Sequence, residues 1–190
     1  FTLMYLHWVH SLDARAVAAA RPHLDPSVIA AIESRMRDFR YRYDDPLPAD
    51  RLDNKWFWSE NHRLIFAVDE LLSGLALPDT TVAESGRAGA QDAARGRPAI
   101  LEWVRERGRY GFSEWHSNVY LPLDINPLLT VIELSPADDV ELQRAASGGL
   151  VGGAGEQHTV IGGACLAQPG AELRLHDLVR VGRGVVHEQQ

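Results

Sequence analysis

From residue 1 to residue 146 the apolar positions recur every three or four residues, the period of helices that each turn one face to a core. Residues 1–20 carry Leu3, Leu6, Val9, Leu12, Ala16, Val17 and Ala20 at that spacing, and Pro22 ends the run. Asp25 followed by Pro26 marks a new start, with Asp as N-cap and Pro at the first helical position. The helix it opens runs through Val28, Ile29, Ile32 and Met36 to about residue 39. A polar loop, YRYDDPLPADRLDNK, follows. Ser59 can cap a third helix, whose apolar face is Leu64, Ile65, Val68, Leu71, Leu72 and Leu75 and which Pro78 stops. Residues 79–96 read as a polar connection containing Gly and Ala. A fourth helix is predicted over 98–109 from Ile100, Leu101, Trp103 and Val104. Gly111 then breaks the chain into the turn RYGFSEWHSNVY. Two shorter helices, 124–134 and 137–146, flank Ser135-Pro136.

The expected fold is therefore all-α, with consecutive helices packed as antiparallel hairpins over residues 1–147. After Ser147 the pattern breaks. Ten of the sixteen glycines fall there, and no Phe, Trp or Tyr occurs beyond Tyr120. ELRLHDLVRV alternates like a strand but has no obvious partner. Residues 148–190 are expected to form an irregular or disordered Gly-rich tail, since such segments lose much entropy on ordering. A shift of reading frame would account for the break, and the gene would decide it.

Composition narrows the picture only a little. A chain of 190 residues is long enough for one domain with a real core. The net charge of -7 argues against nucleic acid or an anionic membrane as partner. No apolar run is long enough to span a bilayer, and no basic-then-apolar signal segment opens the chain, although it begins at Phe1. The single Cys165 excludes an internal disulfide framework and a Cys-rich metal site. None of this fixes a compartment or an oligomeric state.

Two stretches carry the candidate chemistry: WSENH, 58–62, and FSEWH, 112–116. Both read aromatic, Ser, Glu, any residue, His. In the first, Ser59 as N-cap and Glu60 in the first turn suit a helix start without any function. Asn61, His62 and Arg63 beside Trp56, Phe57 and Trp58 also suit an anion such as a carboxylate, with rings to stack on sugars. In the second, Glu114, His116, Ser117, Asn118 and Tyr120 crowd a loop, either as a site or as a turn bonded to itself. The stretches are spaced by about one hairpin with its connections, so repeated units would present both to one cleft.

FRYRYDDP, WFWSENHRLIFAVDELLSGLALPD and AILEWVRERGRYGFSEWHSNVYLPLDINPLLTVIEL together resemble a family of largely helical, mostly bacterial proteins of unassigned activity. Its pattern reads W-S/T-E-N-H, an amphipathic helix, then G-F-S-E-W-x-S-x-x-Y. The resemblance covers about residues 1–147 and implies a partial α/α toroid of hairpins. The family pattern continues with further helices where this chain turns Gly-rich. Asn61-His62 is also similar to the last two positions of the Asn-Asn-His motif of alginate-lyase-like α/α toroid enzymes, with Glu60 in place of the first Asn. That likeness implies β-elimination on an acidic polysaccharide. Asn61 and His62 would neutralise a uronate carboxylate, Tyr120 would carry the proton, and Arg63 or Arg109 would offset developing charge. Glu114, His116 and Glu60 complete the candidate catalytic set, with Trp58, Arg63, Arg109 and Trp115 binding substrate.

Three other readings stay open. A glycoside hydrolase would pair Glu60 with Glu114 or Asp53. A metal site could be built from His62, His116, Glu60 and Glu114, although neither stretch is HExxH, and the favoured reading calls for no metal or cofactor. A non-catalytic helical scaffold could bind sugar or protein. His7 and His10 lie three apart on the first helix, where solvated or core histidines are commoner than ligands. Ser117 beside His116 makes no triad, and the tail glycines make no phosphate loop.

Overall fold

The computed structural model describes residues 2–47, 49–83, 85–113, 117 and 119–152. Among them the chain forms six helices and no strand: α1 (Thr2–Ala18), α2 (Pro26–Arg37), α3 (Glu60–Ala76), α4 (Gly89–Tyr110), α5 (Leu121–Leu134) and α6 (Val140–Gly152). None is long and apolar enough to cross a membrane. The tail expected from residue 148 meets the described chain only in α6, which continues past Ser147 to Gly152. Residues 153–190 lie outside the described residues.

The predicted caps are present. Asp25 accepts the Ser27 backbone N–H at 2.8 Å, with Pro26 opening α2. Ser59 holds extended backbone angles and its hydroxyl accepts from the His62 N–H, opening α3. α3 is the axis of the molecule. It packs on α4, α5 and α1, while α6 closes over α4 and α5, and α2 lies against α1. Leu64, Val68, Leu71 and Leu72 of α3 meet Ile100 and Trp103 of α4, Leu128 and Val131 of α5, and Leu142 and Ala146 of α6 in the main core. A second core joins Leu3, Ile32, Met36, Tyr41 and Val82. Phe57, Ile65 and Phe66 form a third beside Phe39.

The largest departure from the sequence expectation is the start of α4. Residues 89–96 are helix, not connection, and the helix passes through Pro98. Their small residues are there for contact. A methyl placed on Gly74 would lie 2.2 Å from the Gly89 carbonyl oxygen and 2.6 Å from the Ala93 nitrogen. One on Gly96 would lie 2.7 Å from the Leu71 nitrogen. α3 and α4 therefore run in opposite senses with backbones touching at one end, while Arg63 meets Glu106 at the other. α1 departs differently. Leu3 is buried, but with Met4 and His7 rather than with Val9, Leu12 and Val17, which are exposed. Its orientation is set by bonds to α5, from Trp8 Nε1 to Thr130 Oγ1 at 3.1 Å and from Arg15 to the Glu133 carbonyl at 3.1 Å.

The two kinds of α4 glycine should respond oppositely to alanine. Gly96→Ala forces a methyl into α3 backbone and is expected to cost about 1–3 kcal/mol. Gly108→Ala meets open space and should stabilise by about 0.5–1 kcal/mol through helix propensity. Denaturant midpoints of the two variants check this; a neutral Gly96→Ala would contradict the close approach.

Candidate functional site

The start of α3 gathers the first motif into a tight local network. Ser59 Oγ donates to Asn61 Oδ1 at 2.9 Å and lies 2.6 Å from His62 Nδ1. With the one hydroxyl proton on Asn61, the imidazole donates from Nδ1, which sets its tautomer. Asn61 is only 1% exposed. The His62 ring leans edge-on against Phe66, and burial pulls its pKa below the usual 6.5.

Glu60 joins this motif to the second. Its Oε2 accepts both the backbone N–H and the hydroxyl of Ser113 at 2.8 Å and pairs with Arg107. Its carbonyl accepts from Trp103 Nε1 at 2.9 Å. Trp103 in turn meets Phe112 edge-to-face, with centroids 5.8 Å apart. The two Ser-Glu stretches are thus in contact, through the Ser of one and the Glu of the other. Glu114, Trp115 and His116 lie outside the described residues, and with them the Glu60–Glu114 pair and the His62–His116 metal set. Among the described residues no group of three His, Cys, Asp or Glu could hold a metal ion.

The remaining candidates are spread out. Tyr120 stands half-exposed at the N-terminus of α5, its N–H donating to Ser117 Oγ at 3.0 Å. Arg109 is exposed and stacks on Tyr110, 5.3 Å from the ring centroid. Asp53 is clasped by Arg40 at 2.9 Å and Lys55 at 3.0 Å. Burial pushes the Asp53 pKa up, but these bonds outweigh it and hold the carboxyl below its usual range.

An open cleft of about 300 Å³ lies beside the start of α3. Trp58 and Arg63 line it; Asn61, His62, Tyr120 and Arg109 do not. Its other walls are Tyr41, Arg42 and Tyr43 from the loop, Phe57, Phe66 and Ala67, and Ala99, Glu102 and Trp103 of α4. The exposed rings of Trp58 and Tyr43 sit 4.8 Å apart at a tilt of 53°. Arg63 Nη1 pairs with Glu106 at 3.1 Å in a half-exposed bridge. Sequence reasoning missed Arg42, Tyr43 and Glu102. The run RYRYDD was a usable signal, since alternating Arg and Tyr in a loop suits a binding wall.

Behind the cleft, three buried carboxylates, Asp45, Glu70 and Asp92, meet three arginines. Asp45 Oδ1 accepts from Arg87 at 2.5 Å and Arg95 at 3.0 Å. Asp92 accepts from Arg87 Nε at 2.7 Å, and Glu70 Oε2 from Arg42 Nε at 2.7 Å. Burial raises the Glu70 pKa to about 7 despite Arg42. These bonds pin the 40–45 segment to α3 and α4.

A smaller cavity, about 200 Å³, is lined by His7, His10, Ser11, Leu72, Leu75, Ala76 and Leu134. His7 Nε2 lies 3.4 Å from both Asp69 Oδ1 and Ser73 Oγ. A catalytic relay uses opposite ring nitrogens for acid and nucleophile, so this cluster is not one.

Two outcomes follow from the locked helix start. Glu60→Gln should lower stability by about 1–3 kcal/mol and speed amide exchange at Ser113, because a charge-assisted acceptor of two bonds is lost. Unchanged exchange at Ser113 would mean that the link is not made in solution. His62 should titrate below about 6.5 by imidazole NMR. A depressed folded-state value means that its contribution to stability is full above about 6.5 and is lost as pH falls below that, through the lower folded-state value. A midpoint at or above 6.5 would contradict its burial.

No family model, no curated protein and no solved structure matches the chain.

Proposed function

We propose that the cleft beside the start of α3 binds an acidic saccharide. The observation that carries this reading is the pair of exposed rings, Trp58 and Tyr43, set 4.8 Å apart in a cleft whose walls also hold Arg42 and Arg63. Aromatic faces take the C–H faces of pyranose rings, and guanidinium forks match carboxylates. A chain with net charge -7 repels polyanions at long range, so local arginines must supply the attraction.

The partial α/α toroid and its hairpins belong to the same proposal. The opposed, touching α3 and α4 are the arrangement such a repeat uses. β-Elimination, the chemistry that the resemblance implies, asks for more than binding. Asn61 would have to meet a uronate carboxylate, yet it is 1% exposed beneath Ser59. Tyr120 and His62 would have to reach the same sugar, and neither lines the cleft. Binding without chemistry is therefore the reading the geometry favours. New ultraviolet absorbance of an unsaturated product, on incubation with acidic polysaccharides, would restore elimination.

Titration of tryptophan fluorescence with oligouronates and with neutral oligosaccharides of equal length tests the proposal. Oligouronates should bind more tightly, and Trp58→Ala should weaken binding by about tenfold, the size of one lost stacking contact. Trp56→Ala, exposed but outside the cleft lining, should leave it unchanged. Equal binding by wild type and Trp58→Ala would remove the cleft as the site.

A further inference from the structure

The guanidinium of Arg42 is held from behind on two of its three nitrogens. Nε donates to Glu70 Oε2 at 2.7 Å, and Nη2 donates to the Arg95 carbonyl at 2.6 Å. Nη1 makes neither of these bonds, and Arg42 is part of the cleft wall. An arginine fixed this way has already lost its side-chain freedom, so a ligand gains its charge without ordering it.

The counter-charge behind it is unusual. Glu70 is 0% exposed, and its Oε1 has no hydrogen-bond partner among the described residues. The charged groups around it come from three elements. The loop presents Arg42 and Asp45, with the Tyr41 hydroxyl nearby. The connection before α4 presents Arg87. α4 presents Asp92 and Arg95, the latter 3.5 Å from Oε1. Arg87 bonds both Asp45 and Asp92, and Arg95 makes its shortest bond to Asp45. Arg42 is thus the main counter-ion of Glu70, and Glu70 of Arg42.

We propose that Arg42 anchors the carboxylate of a ligand in this cleft, and that Glu70 is a positioning residue that takes up a proton when the anion binds. The nature of the ligand as a saccharide rests on the reading above; the anion site does not. With the three arginines and the three buried acids ionised their charges cancel, the exposed Asp44 lies 3.7 Å from Arg95, and a ligand carboxylate adds a further negative charge beside Arg42. The cheapest relief is to protonate the most desolvated acid, Glu70, which already titrates at about 7. A neutral carboxyl still accepts from Arg42 Nε through its carbonyl oxygen, so the guanidinium keeps its position. Anion binding raises the Glu70 pKa further, and by linkage affinity rises as pH falls through about 7. The ligand carboxylate, ordinary at about 3–4, stays ionised throughout.

The test follows the Arg42 Nε–H and Trp58 indole N–H signals by NMR while glucuronate, and separately glucose, is added to the full chain at about pH 6 and about pH 8. Glucuronate should shift Arg42 and bind more tightly at the lower pH, by about threefold to tenfold. Calorimetry of the wild type at about pH 8, in two buffers of different ionisation enthalpy, should show proton uptake. Glu70→Gln, which mimics the protonated acid, should bind more tightly at the higher pH and lose the pH dependence. Arg42→Lys keeps the charge but lacks the fork and should bind about tenfold more weakly. Trp58 shifting with both sugars while Arg42 stays still would overturn the anchor and leave the saccharide reading intact. Arg42 shifting with glucuronate while Trp58 ignores both sugars would sustain the anion site and overturn the saccharide reading. Silence at both signals overturns both. Glucuronate binding at Arg42 without proton uptake overturns the role of Glu70, whether or not Glu70→Gln folds.

Discussion

Gly74, Gly89 and Gly96 let the backbones of α3 and α4 touch, and the rest of the molecule is arranged around that contact. Once the two helices lie this close, α3 is covered on nearly every side. Its N-terminal half can then bury Glu60 and Asn61, and its C-terminal half Asp69, Glu70 and Ser73. Buried polar groups must find partners, and here those partners come from α4 and the flanking loops. Ser113 and Arg107 bind Oε2 of Glu60, and Arg42 binds Oε2 of Glu70. The loop that brings Arg42 to the cleft wall is therefore held by Glu70 of the central helix.

That division of labour answers the question the repeated Ser-Glu stretches pose. The Glu of the first stretch and the Ser of the second are spent on each other. Asn61 and the Nδ1 edge of His62 are engaged by Ser59. Through these bonds Ser59, Glu60 and Ser113 join the start of α3 to the turn after α4. The cleft draws on Trp58, which opens the first motif, on the neighbouring Phe57 and Arg63, and on the 41–43 loop outside both motifs.

Much of the helical skeleton was legible in the sequence because its signals are local. Asp25-Pro26 and Ser59 are caps, and a cap depends on residues within one turn. Of the predicted apolar face, Leu64, Ile65, Val68, Leu71 and Leu72 are buried, while Leu75 near the end of the helix is exposed. Residues 89–96 were misread because glycine marks both a turn and a close helix crossing, and only the partner helix tells them apart. The face of α1 was misread because apolar residues occupy more than one stripe, so spacing identifies a helix without saying which side is inward. Arg42 with Glu70, and Asp45 with Arg87 and Arg95, join residues far apart in the chain. No local pattern announces such pairs. Trp58 is legible as the aromatic that opens the first motif, and Arg63 as the residue that follows it.

The most direct test of the central claim is a crystal structure of the full chain with a uronate trisaccharide. The account predicts a pyranose ring stacked on Trp58, with its carboxylate within hydrogen-bond distance of an arginine of the cleft wall. A trisaccharide lodged instead between His62, Asn61 and Tyr120, with the Ser59 bonds broken, would contradict it and return those residues to the centre of the chemistry.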